Sequence, residues 1–377
     1  MRTIGLTKVL KRVRVLQTLP LCALLPFCLF TFIPLSAQTA ISTYQPGVTS
    51  EGFVYFLPKT AINITIQVEK ATYTPGDFCK YAERYLRIKD VAQEPSVEYR
   101  ITNIRQEAFA VADTTKRYAV KFDARTSASN IQLSDDGILL AINAEVKSEK
   151  QETRNMSSAE YSLSSIKNPR QYMSEEILAA GSTAKMAELT AQEIYDIRES
   201  QNMLTRGQAD YMPKDGEQLR LMLEELKLRD NALTSLFTGV TVRDTTEYTL
   251  TIIPDKDSIR EVLFRFSKRL GLLDKDDLAG VPYYINIENL KTVPPVDTTN
   301  PKKKAKQESG IYVNIPGKLR STVADASHAL VTNDFLAGQF GNVELLSGAL
   351  FNKKFTTHLR LHPLSGGVEK LEADQPR

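Results

Sequence analysis

The sequence predicts an α+β protein with two β-α-β-β repeat units, an antiparallel helical hairpin inserted between them, and C-terminal β-strands. Three observations lead there. Short segments on both sides of the chain's middle alternate apolar and polar residues, the period of a half-buried strand. Several of these segments recur at a constant offset of 184 residues. Between them the apolar spacing switches to three and four, the period of a helix with one buried face.

The first strand is Ile62-Asn-Ile-Thr-Ile-Gln-Val68, and its counterpart is Tyr248-Thr-Leu-Thr-Ile252. At the common offset Ile64, Ile66 and Val68 map onto Tyr248, Leu250 and Ile252. A helix is expected after each. Thr74-Pro-Gly-Asp77 and Ser258-Ile-Arg-Glu261 both read as capping boxes, where a hydroxyl and a carboxylate satisfy two exposed N–H groups. Phe78, Cys79, Ala82 and Leu86 then form one stripe, matched by Val262, Leu263, Phe266 and Leu270. A third element pairs Val97–Ile101 with Val281–Ile285, and Asp113-Thr-Thr115 falls in register with Asp297-Thr-Thr299. A fourth pairs Gly137–Ile142 with Gly310–Ile315 at an offset of 173. Tyr118, Val120 and Phe122 supply an extra strand in the first copy. In the second copy that place is taken by Lys291–Lys306, a Pro- and Lys-rich loop. The units span residues near 53–145 and 237–318, with helices starting near Pro75 and Ile259.

Within the insertion, Met186, Leu189, Ile194, Ile197 and Leu204 mark one helix. Leu219, Leu226 and Leu233 form a heptad row on a second. The breaker-rich stretch Arg206–Gly216 joins them, with Asp215 and Gln218 placed to cap the second helix. Residues 146–168 are polar and weakly patterned. Phe355, Thr357, Leu359 and Leu361 alternate as a strand, Pro363–Gly367 turns, and Val368–Leu371 returns.

At the N-terminus, Arg2, Lys8, Lys11, Arg12 and Arg14 precede an apolar run from Leu19 to Ile33, and Ala37-Gln38 follows as a cleavage junction. This is the layout of an export signal. Pro20, Pro26 and Pro34 argue against a membrane-spanning helix, and no lipid-attachment context surrounds Cys22 or Cys28. The expected organisation is a signal peptide at 1–37, a first unit with a polar linker at 38–182, the hairpin at 183–236, and the second unit with the C-terminal strands at 237–377. The signal holds five of the 48 basic residues and none of the 45 acidic ones. Its removal turns a net charge of +3 into −2, so no basic field for nucleic acid remains. Cys79 is left as a single cysteine, which precludes an intrachain disulfide. The expected location is the periplasm or outer envelope of a Gram-negative bacterium, without stable membrane insertion after processing.

A search for chemistry finds little. Phosphate-loop, dinucleotide and Gly-x-Ser-x-Gly patterns are absent. His328, His358 and His362 are the three histidines. His358 and His362 have the i, i+4 spacing of a helical zinc pair, but the alternation makes this segment a strand, and a metal site needs more ligands. Cys79 reads as a small core residue. Ser134-Asp-Asp-Gly137 and Asp274-Lys-Asp-Asp277 read as turns rather than calcium loops. Lys302, Lys303, Lys304 and Lys306 read as a solvated loop. No cofactor, metal or catalytic residue is assigned.

Tyr55-Phe-Leu-Pro-Lys-Thr60, Met212-Pro-Lys-Asp-Gly-Glu217, Leu233-Thr-Ser-Leu-Phe-Thr-Gly239, Gly338-Gln-Phe-Gly341 and Leu350-Phe-Asn-Lys353 resemble an uncharacterised exported family of anaerobic Gram-negative bacteria, a domain of unknown function. The resemblance implies an envelope protein of similar layout and supplies no catalytic residues. The expected activity is non-enzymatic: a binding or structural scaffold acting through sheet edges and the helical hairpin, with another envelope protein or a glycan as partner. The alternative is a periplasmic hydrolase whose carboxylate or Ser-based site is assembled by the fold.

Overall fold

Two bent hairpins touch at their bends and share two β-cores. The computed structural model describes residues 40–43, 52–121, 130–145, 168–213, 215–295, 310–351 and 356–374. The signal at 1–37 with its Ala37-Gln38 junction, Phe122, residues 146–167, the Lys-rich stretch at 296–309 and Phe355 lie outside the described residues.

The strands are β1 (Ala40–Thr43), β2 (Phe53–Thr74), β3 (Ser96–Lys121), β4 (Ile131–Leu133), β5 (Leu139–Ile142), β6 (Val240–Ile252), β7 (Ser258–Ser267), β8 (Gly271–Leu273), β9 (Val281–Asn289), β10 (Gly310–Ala324), β11 (Ala329–Ser347), β12 (Thr356–Leu361) and β13 (Val368–Asp374). They form three antiparallel sheets in the orders β1-β3-β2-β6, β11-β10-β9-β7-β8 and β13-β12-β5-β4. The α+β class stands, with strands dominating.

Each long hairpin bends where one strand carries excess residues. Phe56 pairs with Arg117 and Pro58 with Ala112, so Asp113–Lys116 stand opposite Leu57 alone. Ile315 pairs with Asn342 and Gly317 with Ala337, so Gly338–Gly341 stand opposite Pro316 alone. Unequal strand lengths force the ladder to turn, and a proline at each bend has no N–H to lose from it. On one side of the bends, Ile62, Ile64, Ile66 and Val68 face Phe264, Phe266, Ile285, Ile287, Leu319 and Val323. On the other side, Tyr55, Leu57 and Val120 pack with Leu139, Ile142, Ile311, Val313, Phe351, Leu359 and Leu361. Burial of one such side chain is worth about 1.5–3 kcal/mol, so β2 and β10, which feed both cores, tie them together.

The third core is helical. The helices are α1 (Glu175–Leu178), α2 (Thr183–Arg206) and α3 (Gly216–Thr238). Ser182 accepts from Lys185 N–H at the start of α2, and Gly207 closes it in the left-handed conformation (φ 68°). Asp215 caps α3 by accepting from Glu217 N–H. Arg198 on α2 reaches Asp230 on α3 at 3.0 Å. Ala191, Ile194 and Ile197 pack with Leu233, Leu236 and Phe237, and Phe78, Ala82 and Leu86 complete this cluster.

Several expectations are corrected. Ser258–Ser267 is a strand rather than a helix: Phe264 and Phe266 alternate inward, and pairing with β9 satisfies the backbone. Ser258 and Glu261 do meet, at 2.9 Å, but within a strand irregularity. In the first copy, Thr74 ends β2, and Asp77 takes Arg170 in a two-pronged ion pair at 2.7 and 2.9 Å instead of capping. The helix expected from Pro75 is reduced to a 3-10 turn, Cys79–Tyr81, and a π turn, Ala82–Leu86. The segments read as separate strands at 97–101 and 118–120 belong to one strand, β3. Ile62–Val68 and Tyr248–Ile252, read as repeat equivalents, are ladder partners: Ile66 pairs with Tyr248, Ile64 with Leu250 and Ile62 with Ile252. Two strands with one buried face in common carry the same alternation whether or not they are copies.

Candidate functional site

The bends place a polar joint inside the protein. Asn314 Nδ2 donates to Pro58 O and Ser365 O, both at 2.9 Å, and Asn314 N–H donates to Gly366 O at 3.1 Å. Thr60, wholly buried, donates its hydroxyl to Leu336 O at 2.9 Å. Its N–H donates to Gln339 Oε1 at 2.9 Å, and Gln339 Nε2 donates back to Thr60 O at 2.7 Å. Gly338 fits here because it lacks a side chain: a Cβ would come within 2.2 Å of Asn314 Nδ2.

Gln339 carries the joint outward. Its Nε2 also donates to Pro254 O at 3.1 Å, fixing the loop between β6 and β7. That loop closes one end of a cleft of about 460 Å³. Leu250, Ile252, Val262, Leu263, Ile285 and Ile287 supply its apolar lining, and Asp255, Lys256, Ser258, Glu261 and Lys275 its polar rim. Two strand edges border it. β6 ends its sheet, and β8 pairs with β7 only from Arg265 to Ser267, leaving the Ser258–Phe264 edge bare of strand pairing among the described residues. On β7 two residues, Ile259 and Arg260, stand opposite the single Asn286 between the pairs Ser258–Ile287 and Glu261–Ile285. One of them, Arg260, is left-handed (φ 53°). Its N–H donates to Asn286 Oδ1 at 2.6 Å, and its guanidinium lies 4.8 Å from the Tyr284 ring centre. Such local strain recurs at functional sites.

Of the residues weighed for chemistry from sequence, the cysteine, the histidines and the turn carboxylates do not line this cleft. Cys79 is half-buried, not a core residue; its neighbour Phe78 takes the buried position and packs on Phe237 at 5.4 Å. The 3-10 turn replaces the expected helical phase and rotates the thiol out of the stripe. His358 bonds through Nδ1 with Asn143 O, and its Nε2 lies 3.3 Å from Asp374. His362 Nδ1 meets Ser365 Oγ at 3.2 Å. That serine is 1% exposed in the turn beside Asn314, so the contact closes a turn instead of presenting a nucleophile. His328 Nδ1 bonds Asp325 at 3.0 Å in the β10–β11 turn. This contact, with N–H donation from His328 and Ser327, lowers the Asp325 carboxyl to about 2. Hydrogen bonding from Arg170 likewise lowers that of Asp77. Ser134–Gly137 is the β4–β5 turn, where Ser134 Oγ accepts from Ile138 N–H at 3.1 Å. Asp274 and Asp277 accept backbone N–H groups of the β8–β9 loop. Among the described residues no group of three or more His, Cys, Asp or Glu is placed to hold a metal ion. None of their helices is long and apolar enough to cross a membrane.

Sequence reasoning missed Gln339, Thr60, Asn314 and the cleft residues as a group. The available signal lay in the strings themselves. Tyr55–Thr60 and Gly338–Gly341 meet at the joint, and Phe351 of Leu350–Lys353 is fully buried beside it in the second β-core. Leu233–Gly239 joins α3 to β6, where Leu236 O accepts from Phe78 N–H at 2.8 Å.

No curated protein and no solved structure matches the chain. The family described as Domain of unknown function (DUF4831) matches residues 51–369, so the chain belongs to that family.

Proposed function

We propose that this is a non-enzymatic binding protein of the cell envelope that takes an extended segment of a partner protein on the free edge of β6. One observation carries this reading. Among the described residues, β6 is thirteen residues long, ends its sheet, and is exposed from Thr241 to Thr249. An edge of that length presents a row of N–H and C=O groups suited to a further strand. The basic N-terminal segment, the apolar run and the Ala37-Gln38 junction support an exported, processed chain acting in the periplasm or outer envelope.

The test is selection of a random peptide display library on the immobilised full chain. Enriched peptides, once synthesised, are expected to slow amide exchange along Val240–Ile252. Binders that protect α2 and α3 instead, or peptides that are cleaved, would overturn the reading.

A further inference from the structure

Resting on that reading, we propose that the cleft between β6 and β7 selects the added strand by accepting aliphatic side chains at positions i and i+2, in a segment of no net charge.

The occupant is a peptide strand because of the walls. Both β6 and the Ser258–Phe264 part of β7 line the cleft, and each has an edge bare of strand pairing among the described residues. Backbone groups on such edges need donors and acceptors at strand spacing, which a lipid chain does not offer. The aliphatic preference comes from the lining. A strand paired with β6 sends every second side chain to the face that holds Leu250 and Ile252. There it meets Val262, Leu263, Ile285 and Ile287. Ile259 is 84% exposed and Ile253 40% exposed at either end of the connecting loop, so apolar surface extends past the mouth. The volume of the cleft is about 460 Å³.

Charge complementarity sets the remaining condition. The rim holds Asp255 and Glu261 against Lys256 and Lys275, two of each sign. Repulsion from one pair and attraction to the other then cancel, so the rim gives a strand of strong net charge no gain to offset the desolvation of that charge beside an apolar cleft. The β7 irregularity shapes this rim: the extra residue at Arg260 brings Ser258 Oγ to Glu261 at 2.9 Å.

The experiment compares two capped peptides of one composition, each with two Ile, one Lys, one Glu and threonines. One carries Ile at i and i+2, the other at i and i+3. Both are titrated into the full chain, with binding read by NMR shift changes and by amide exchange. The i, i+2 peptide is expected to bind at least tenfold more tightly and to protect residues 248–253 and 258–263. Ile259→Ser, at a side chain too exposed to affect folding, is expected to weaken it several-fold. Val262→Asp should remove the preference. Equal binding of the two peptides along β6 would overturn the aliphatic selection and leave strand addition standing. Failure of both to protect β6 would overturn both.

Discussion

Gln339 holds Thr60 as a neighbouring strand would, accepting from its N–H at 2.9 Å and donating to its carbonyl at 2.7 Å. One side chain thus ties the first hairpin to the second at their bends. Through Pro254, at 3.1 Å, it also ties both to the loop that ends the cleft.

Gln339→Ala leaves a buried Thr60 N–H without its partner. The expected loss is about 1–3 kcal/mol, read as a lower urea midpoint with an unchanged slope. Because Pro254 is freed as well, amide exchange at residues 253–257 should rise more than at 285–287. Unchanged exchange at the loop would show that Gln339 does not position the cleft.

Gly338→Ala places a methyl group 2.2 Å from Asn314 Nδ2 and 2.8 Å from Pro58 O. The joint must open, at a cost of about 1–3 kcal/mol. Both β-cores meet at this point, so thermal unfolding should shift down as one transition. Separate melting of the two cores would contradict their coupling through the bends.

Cys79 is half-buried and Phe78 is 2% exposed. Cys79→Ser should therefore change stability by less than about 1 kcal/mol, whereas Phe78→Ala should cost about 3–5 kcal/mol. A thiol reagent should modify Cys79 in the native chain, tracked by peptide mass. Protection until unfolding would restore the core assignment.

The Asp325 carboxyl is lowered from an ordinary 3.8 to about 2, chiefly by the His328 side chain. A lowered folded-state pKa means that the stabilisation is present above 3.8 and is lost as pH falls toward 2. The carboxyl chemical shift of Asp325 should titrate near pH 2, and His328→Ala should raise that midpoint. The same direction holds for Asp77: acid should loosen its pairing with Arg170, seen as faster exchange around residues 169–172. An Asp325 midpoint unaffected by His328→Ala would refute the assigned cause.

If the N-terminal segment acts as an export signal, the exported chain should begin near Gln38. N-terminal sequencing of protein from a periplasmic extract checks this. Recovery of Met1 in the membrane fraction would count against it.

Local periodicity determined much of what the sequence could determine. The alternation in Ile62–Val68 marks a strand with one buried face, and Thr356–Leu361 alternates in the same way. The three-and-four spacing from Met186 to Leu204, with Ser182 and Gly207 at its ends, marks a helix. These signals lie within one element, where side-chain direction follows directly from backbone period.

Pairing and joints were decided only by the tertiary structure. Ser258–Leu270 carries both a helical stripe and an inward row of Phe264 and Phe266, and the strand state prevails because β9 is there to bond it. Equal alternation in Ile62–Val68 and Tyr248–Ile252 is compatible with two copies or with two neighbours. Only the structure shows that they are neighbours, because hydrogen-bond partners distant in sequence leave no periodic trace. The same reason hid the site. Thr60, Pro254 and Gln339 are brought together across as many as 279 residues of chain, and the cleft exists only because residues of β6, β7, β9 and two loops, each ordinary in sequence, come together.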